Sequence, residues 1–352
     1  MTERISDGII RRKDVRQLIA PAGVVLAAVA LVAFAAGCAE RGNPTDDGGE
    51  VSYHVAATLP VEGYAEGVDV EDGLGLVAAG EGGLIVIDLA DPESPAWLGT
   101  APNSYTSRRC AYLASQSMGL VTDGQNGVAA FDLSAPTNPT WGAYLQGTNA
   151  QDLVATDQIL PGMVHVFYAD RQSGFRIWEI DLSWGPPWFP NQVYHEYTEG
   201  YAYGVCLEGG LAMVAAGQVG LWLYDVSSIY GVVARGWVDT PGNALAVAAS
   251  GGYAYVADGL AGLQVIDVSD PDHPVIAGSA PTEDYASDVC FLDDRAYVAD
   301  QDGGLRVFDV ADPTAPREIG HLETPYANGV DIDGPYVYIA DRDWGLVVIT
   351  EE

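Results

Sequence analysis

Paired carboxylates are the residues of this chain that come nearest to a metal-ligand set. Asp300-Gln-Asp302 and Asp341-Arg-Asp343 each place two acidic side chains two positions apart. Calcium is a hard cation that takes about six to eight oxygen ligands, and two carboxylates supply only part of that number. We therefore predict solvated loops at both places, with calcium binding by Asp300, Asp302, Asp341 and Asp343 as the alternative.

Nucleophiles and bases fall into no recognisable catalytic pattern. The sequence contains no Gly-x-Ser-x-Gly, His-Glu-x-x-His or Cys-x-x-Cys motif and no phosphate-cradling glycine loop. Its histidines are scattered without ligand spacing, at His54, His165, His195, His273 and His321. The sequence therefore predicts no catalytic residue and no cofactor, although a site assembled from distant parts of the chain would leave no motif.

A second set of polar residues occupies a recurring phrase, Tyr/Asn-Ala-x-Gly/Asp. The phrase begins at Tyr64, Asn149, Tyr201, Asn243, Tyr285 and Tyr326. The positions after its alanine differ from copy to copy, and variation within a fixed repeat is where binding function tends to reside. The candidate binding residues are Glu66, Arg108, Arg109, Asp152, Tyr203, Ser287, Asp288 and Asn328.

Two adjacent arginines make one copy of this phrase different from the others. The copy reads Ser107-Arg108-Arg109-Cys110, a local charge reversal among acidic or neutral neighbours. The arginines either contribute to a ligand site or neutralise nearby carboxylates, and the sequence leaves both interpretations open.

These phrases belong to a longer repeat in which an apolar run ends in aspartate. The first copy is Leu84-Ile-Val-Ile-Asp88, and the later copies end at Asp132, Asp181, Asp225, Asp267, Asp309 and Thr350, 41 to 49 residues apart. Short β-branched or aromatic runs separated by Gly, Asp and Pro fill each copy, as in hairpins. This period is typical of a β-propeller with one four-stranded blade per repeat. The candidate binding residues would then rim one mouth of the central channel.

The last repeat stops one strand short, and a matching segment stands at the other end of the chain. Residues 50–58 align with residues 316–324, which supply the fourth strand of the preceding repeat. An open ring would leave exposed strand edges. We therefore predict an all-β, seven-bladed propeller over residues 50–352, closed by pairing of the N-terminal strand within the last blade.

Aspartates recur at two fixed places in the repeat. Those that end the third strands include Asp88, Asp132, Asp225, Asp267 and Asp309, and those in the second hairpin turn are Asp123, Asp258, Asp300 and Asp341. A residue repeated around a whole ring is typical of a hydrogen-bond acceptor for the adjacent turn. We therefore predict structural roles for both sets.

Three phrases of the repeat are shared with a known family: Leu84–Asp88, Tyr255-Val-Ala-Asp-Gly259 and the Asp-Pro-x-x-Pro connections at Asp91, Asp270 and Asp312. In these phrases the chain resembles the LVIVD-repeat family of bacterial and archaeal surface propellers, over about residues 50–352. The resemblance is strong in repeats one, five and six and weak in repeat three, where aromatic residues and prolines are inserted. It implies the propeller fold and no catalytic residues.

The N-terminal segment resembles a bacterial lipoprotein signal. Basic residues precede an apolar run from Leu18 to Ala36, and Ala35-Ala36-Gly37-Cys38 resembles a lipobox. We predict a signal peptide over 1–37, lipidation of Cys38 and a flexible tether over 38–49. The predicted location is the cell envelope, at the outer membrane or cell surface in a Gram-negative cell. The alternative is an uncleaved membrane anchor.

The remainder of the chain is strongly acidic. Without the five basic and three acidic residues of 1–37, it has 10 basic and 46 acidic residues, a formal charge of −36, and no lysine. Such a surface repels nucleic acid and anionic lipid and attracts cationic partners. Solubility in a salty medium is the alternative explanation. We predict a monomer that contacts the membrane only through its lipid.

The function predicted from these features is that of a binding or protein-interaction module. Its partner would be an unidentified protein or small ligand, and the acidic surface favours one of cationic character. A propeller enzyme with a site in the central channel and a structural envelope component are the two alternatives.

Overall fold

The protein is a seven-bladed propeller, as the repeat predicts. The computed structural model describes residues 51–102 and 105–352, in which the strands form seven antiparallel sheets of four strands each. The predicted signal peptide, Cys38 and the tether lie outside the described residues. Within the described part, no helix has the length and apolar character needed to cross a bilayer.

The strands follow one another in blade order after β1 (Tyr53–Leu59). Blade 1 contains β2 (Gly67–Glu71), β3 (Leu74–Ala78), β4 (Leu84–Asp88) and β5 (Ala96–Ala101). Blade 2 contains β6 (Cys110–Leu113), β7 (Met118–Thr122), β8 (Val128–Asp132) and β9 (Thr140–Leu145). Blade 3 contains β10 (Asp152–Thr156), β11 (Met163–Ala169), β12 (Phe175–Asp181) and β13 (Pro190–Glu196).

The second half of the ring repeats this order. Blade 4 contains β14 (Gly204–Glu208), β15 (Leu211–Ala215), β16 (Leu221–Asp225) and β17 (Val233–Val238). Blade 5 contains β18 (Ala246–Ser250), β19 (Tyr253–Ala257), β20 (Leu263–Asp267) and β21 (Val275–Ala280). Blade 6 contains β22 (Asp288–Leu292), β23 (Arg295–Ala299), β24 (Leu305–Asp309) and β25 (Arg317–Leu322). Blade 7 contains β26 (Ala327–Asp333), β27 (Tyr336–Asp341), β28 (Gly345–Glu351) and β1. Two short 3-10 helices, Ala114–Gln116 and Gly124–Asn126, interrupt blade 2.

The hydrophobic core is divided among the interfaces between neighbouring blades. Each of the seven core clusters joins two adjacent sheets; one, for example, packs Ala299 and Leu305 of blade 6 against Val330 and Ile339 of blade 7. Because the hydrophobic core of each blade packs only against its two neighbours, stability depends on every interface around the ring being present.

The last sheet contains both ends of the described chain. β1 pairs antiparallel with β28, with Tyr53 opposite Glu351 and Leu59 opposite Leu346. The Tyr53 side chain is buried in the core cluster between blades 6 and 7, and the Val51 N–H donates to the Ile319 carbonyl at 2.6 Å. The N-terminal strand therefore touches blade 6 as well as completing blade 7.

The aspartates at the ends of the third strands accept hydrogen bonds from the connection that follows, which confirms their predicted role. Asp88, Asp132 and Asp225 each accept from the backbone N–H two residues later, at 2.8 to 3.0 Å. Asp267 and Asp309 do the same at 3.0 Å. These turns prepare the chain to reverse into the outer strand.

The insertion in repeat three contributes to packing between blades 2 and 3. The Trp188 side chain is buried, and the backbone N–H of Trp188 donates to the Gly142 carbonyl of β9 at 2.9 Å. A Cβ at Gly142 would lie 2.2 Å from the indole ring, so this position requires glycine. The weak repeat therefore keeps the blade architecture and replaces the usual connection by a packed tryptophan.

Candidate functional site

The segment that enters each first strand lies against a turn of the preceding blade. We call this turn, between the second and third strands of a blade, the junction turn. Residue pairs bridge the two segments at Gly80–Ser107, Arg171–Ala202, Gly217–Ala244, Gly259–Ala286 and Gln301–Ala327. The recurrent alanine of the sequence phrase is buried at this bridge. The variable residues on either side of it are thereby held at one face of the propeller.

Arg109 bridges four blades at this face. Its guanidinium Nη1 donates to the Glu66 carbonyl of blade 1, and Nη2 lies 3.4 Å from the carbonyl oxygens of Ser287 and Asn328, in blades 6 and 7. Nη2 also lies 3.7 Å from Asp288 Oδ2. The side chain is only 15% exposed, so the guanidinium connects blade 2 to three other blades in a position that is largely shielded from solvent.

Two predicted binding residues, Asp152 and Asp288, bond the wall of the channel together. Asp152 Oδ2 accepts from the Val205 N–H of the next blade at 2.9 Å, and Asp288 Oδ2 accepts from the Val330 N–H at 3.1 Å. Both carboxylates are nearly fully buried. A first strand has one unpaired edge, and these acceptors satisfy N–H groups along it.

The sequence reasoning missed two further carboxylates with the same role. Asp69 accepts from the Tyr112 N–H at 2.6 Å, and Asp331 accepts from the Val70 N–H at 2.7 Å. Each lies two residues further along its first strand than the position of Asp152. The signal that could have found them is this spacing of two, which keeps side chains on the same face of a strand.

The structure brings some of the candidate residues together and leaves others apart. Glu66, Ser287, Asp288 and Asn328 all contact Arg109, three of them through backbone carbonyls. The Ser287 hydroxyl donates to the Ala299 carbonyl at 3.0 Å, and the Asn328 amide donates to the Ala65 carbonyl at 3.1 Å. Asp152 instead contacts blade 4, Tyr203 lines a separate cavity and Arg108 is exposed.

That cavity lies off the axis of the ring, between blades 4, 5 and 6. Its volume is about 800 Å³, which is within the usual range for ligand pockets. The segments before the first strands contribute Tyr201, Tyr203, Pro241, Gly242, Asn243 and Tyr285. Two junction turns contribute Gly217, Gln218, Val219, Leu260 and Ala261. Within the described part of the chain, the residues that line the cavity are neutral.

The cavity is open to solvent at its edge, and polar groups take part in its lining. The Asn243 amide donates to the Tyr285 hydroxyl at 3.1 Å, joining blades 5 and 6 across the cavity. Tyr201 is 45% exposed and Leu260 is 81% exposed. A cavity with aromatic walls and a few polar groups is the usual composition of a site for an organic ligand.

The predicted calcium residues divide into buried acceptors and exposed loop residues. Asp300 Oδ2 accepts from the N–H groups of Glu283 and Asp284, both at 2.9 Å, and Asp341 Oδ2 accepts from the Tyr326 N–H at 2.9 Å. Asp302 and Asp343 are exposed. No group of three or more potential ligands among His, Cys, Asp and Glu is found within residues 51–102 and 105–352.

The buried turn aspartates have the structural role that their recurrence predicts. Asp123 accepts from the Tyr105 N–H at 2.7 Å, and Asp258 accepts from the Gly242 N–H at 2.9 Å. Desolvation by burial raises the pKa of Asp258 and of Asp300, against the lowering effect of the hydrogen bonds they accept. These carboxylates hold in place the segments that enter the first strands.

Comparisons with known proteins agree with this architecture. The family model of the LVIVD repeat matches residues 62–101, 241–282, 284–324 and 326–349. The chain therefore contains LVIVD repeats, in blades 1, 5, 6 and 7. No curated protein matches the chain.

Among solved structures, the fold is similar to the crystal structure of the computationally designed Ika8 protein. The TM-score is 0.59 at 8% sequence identity, and the match covers 84% of this chain and 99% of that chain. At this identity the similarity concerns the fold alone.

Proposed function

We propose that the protein is a lipid-anchored binding module of the cell envelope, and that its ligand occupies the cavity between blades 4, 5 and 6. The observation that carries this proposal is a neutral, tyrosine-lined cavity of about 800 Å³ on a chain with strong negative charge. Arg109 was a candidate ligand-binding residue at the mouth of the central channel, but its guanidinium is already held by blades 1, 6 and 7. This favours a binding site away from the axis of the ring. The partner is a cationic protein or small ligand.

A photo-crosslinking amino acid at Leu260, introduced in the native envelope, tests this site. Leu260 lies at the edge of the cavity and is 81% exposed, so a bound ligand or partner would lie within reach of the crosslinker. We expect a discrete product from position 260, and we expect Tyr203→Leu to abolish it.

The matched control for this experiment is the same amino acid at Trp141. This residue is 50% exposed and lies on the outer strand β9, on a different part of the surface. Identical products from both positions, or none from position 260, would contradict binding in the cavity and favour a structural envelope component.

The anchor has its own test, because Cys38 lies outside the described residues. Cys38→Ser is expected to abolish lipid labelling and to release the propeller from the membrane fraction or leave an uncleaved precursor. Fractionation and metabolic labelling with a fatty acid measure both effects. Normal processing with equal membrane retention would show that the protein is held in the envelope without this lipid.

A further inference from the structure

The repeat allows the equivalent turn residues at the seven junctions between blades to be compared with one another. The bridges described above place the second residue of a junction turn against the segment that enters the first strand of the next blade, as in Arg171–Ala202 and Gly259–Ala286. In the segment that enters the first strand, which we call the entrance segment, the residue just before the bridged alanine is often a tyrosine. At several junctions the turn residue therefore lies near a tyrosine ring, and the type of turn residue differs around the propeller.

At two junctions the turn residue is an arginine that lies over tyrosine rings. The guanidinium carbon of Arg171 is 5.5 Å from the ring centroid of Tyr201 and 5.9 Å from that of Tyr203. Arg342 lies over Tyr64 and Tyr326, at 5.0 and 5.4 Å. These distances are within about 6 Å, the range in which an aromatic face attracts a cation. The chain thus supplies its own guanidinium groups to these rings.

The equivalent turn residue is a glycine at four junctions, Gly80, Gly124, Gly217 and Gly259, and at the last two of these it lies beside a tyrosine ring. A Cβ at Gly217 would lie 3.0 Å from the Tyr203 ring, and a Cβ at Gly259 would lie 3.0 Å from the Tyr285 ring. The turn backbone therefore runs directly beside both rings, and neither glycine adds a side chain there. The Tyr203 ring also has the Arg171 guanidinium 5.9 Å from its centroid, so Tyr285 is the ring that most depends on a group from outside the chain. The junctions of Gly217 and Gly259 are those at which the cavity of about 800 Å³ is found, and both tyrosines line it.

We infer that the cavity binds a guanidinium group of a ligand, in the place that Arg171 and Arg342 fill at other junctions. The inference rests on the proposed function and specifies the chemistry of its ligand. The residues that line the cavity include no cationic side chain that would repel a guanidinium group. Glu199, Asp239 and Asp284 stand within two residues of lining positions, and the overall charge draws cations toward this surface.

Calorimetric titration with N-acetyl-arginine amide and with its neutral citrulline analogue tests the inference. We expect saturable binding of the arginine probe and at least about tenfold weaker binding of citrulline, because only the guanidinium interacts with the ring quadrupole. Gly259→Arg should abolish binding by filling the site from within the chain. A side chain can adopt this backbone conformation, since Arg171 and Gln301 have a φ of 45° at the equivalent turn position, but the Tyr285 ring must move by a few tenths of an ångström to admit the new Cβ.

Two further variants keep the result interpretable. Val275→Arg adds the same charge to the exposed outer strand of the same blade, and it should leave binding unchanged. Tyr285→Leu removes a ring from the cavity without adding a side chain to the turn, and it should weaken arginine binding. Thermal melting of each variant checks that the propeller remains folded.

The possible outcomes separate this inference from the proposed function. Equal binding of both probes, or unchanged binding in Gly259→Arg, would overturn the guanidinium site. Absence of arginine binding with retained crosslinking at Leu260 would overturn it too, while the proposed binding function would stand. Arginine binding without any crosslinked product at Leu260 would support the site chemistry and contradict the proposed function.

Discussion

Deleting residues 51–59 is expected to cause aggregation or to lower the melting temperature by more than about 10 °C. The deletion removes β1, which pairs with β28 from Tyr53–Glu351 to Leu59–Leu346. It also removes the buried Tyr53 ring from the core between blades 6 and 7. The apolar strand β28 would become an exposed edge available for pairing with other chains. Scanning calorimetry and light scattering measure the two effects.

A deletion of equal length, residues 39–47, is the matched control. It shortens the predicted tether and leaves β1 intact, so melting and oligomeric state should match those of the parent chain. If the 51–59 deletion behaved like this control, the seventh blade would be stable with three strands and β1 would be dispensable for closing the ring.

The arrangement of the blades could be predicted because its signals are local or periodic. The third strand ends in aspartate in most blades. Asp88 and Asp267, for example, each accept a hydrogen bond from the backbone N–H only two residues later. The number of repeats then gave the number of blades. Because the last repeat lacks its fourth strand, the N-terminal segment was predicted to supply it. Each of these inferences needs only neighbouring residues or the comparison of one copy with the next.

The site could be predicted only in part, because its contacts join residues that are far apart in the chain. Asp331 accepts from the Val70 N–H, a pairing that no local pattern contains. Arg109 reaches Ser287 and Asn328 in the same way. A position-by-position alignment of the repeats would have given more: Arg109 stands where other copies have a glycine such as Gly67.

The cavity was missed for a different reason. Its walls include Tyr203, which was a candidate, and Tyr285, which was noted only as the start of a phrase. The turn glycines that leave room beside them, Gly217 and Gly259, are ordinary hairpin residues when read singly. Their significance arises only when the arginines at equivalent turns are known to lie over tyrosine rings.

Replacing Arg109 with methionine is expected to lower the free energy of unfolding by about 3 kcal/mol, the effect of removing one partner of a largely buried ion pair. Methionine keeps much of the side-chain volume but donates no hydrogen bond. The change would leave the Asp288 carboxylate without its neighbouring guanidinium and remove a donor from the Glu66 carbonyl. Urea denaturation measures the loss, and because the pair is poorly exposed, added salt should change it little.

Arg108→Met is the matched control, since it removes the same charge from the adjacent residue. Arg108 is exposed, so its replacement should change stability by no more than about 0.5 kcal/mol. Arg109→Lys should fall between the two, because lysine keeps the charge but cannot reach several carbonyl groups with a planar fork. Equal effects of Arg109→Met and Arg108→Met would mean that both arginines only offset the acidic surface. A large effect confined to Arg109 would instead identify its guanidinium as the group that holds blades 1, 2, 6 and 7 together.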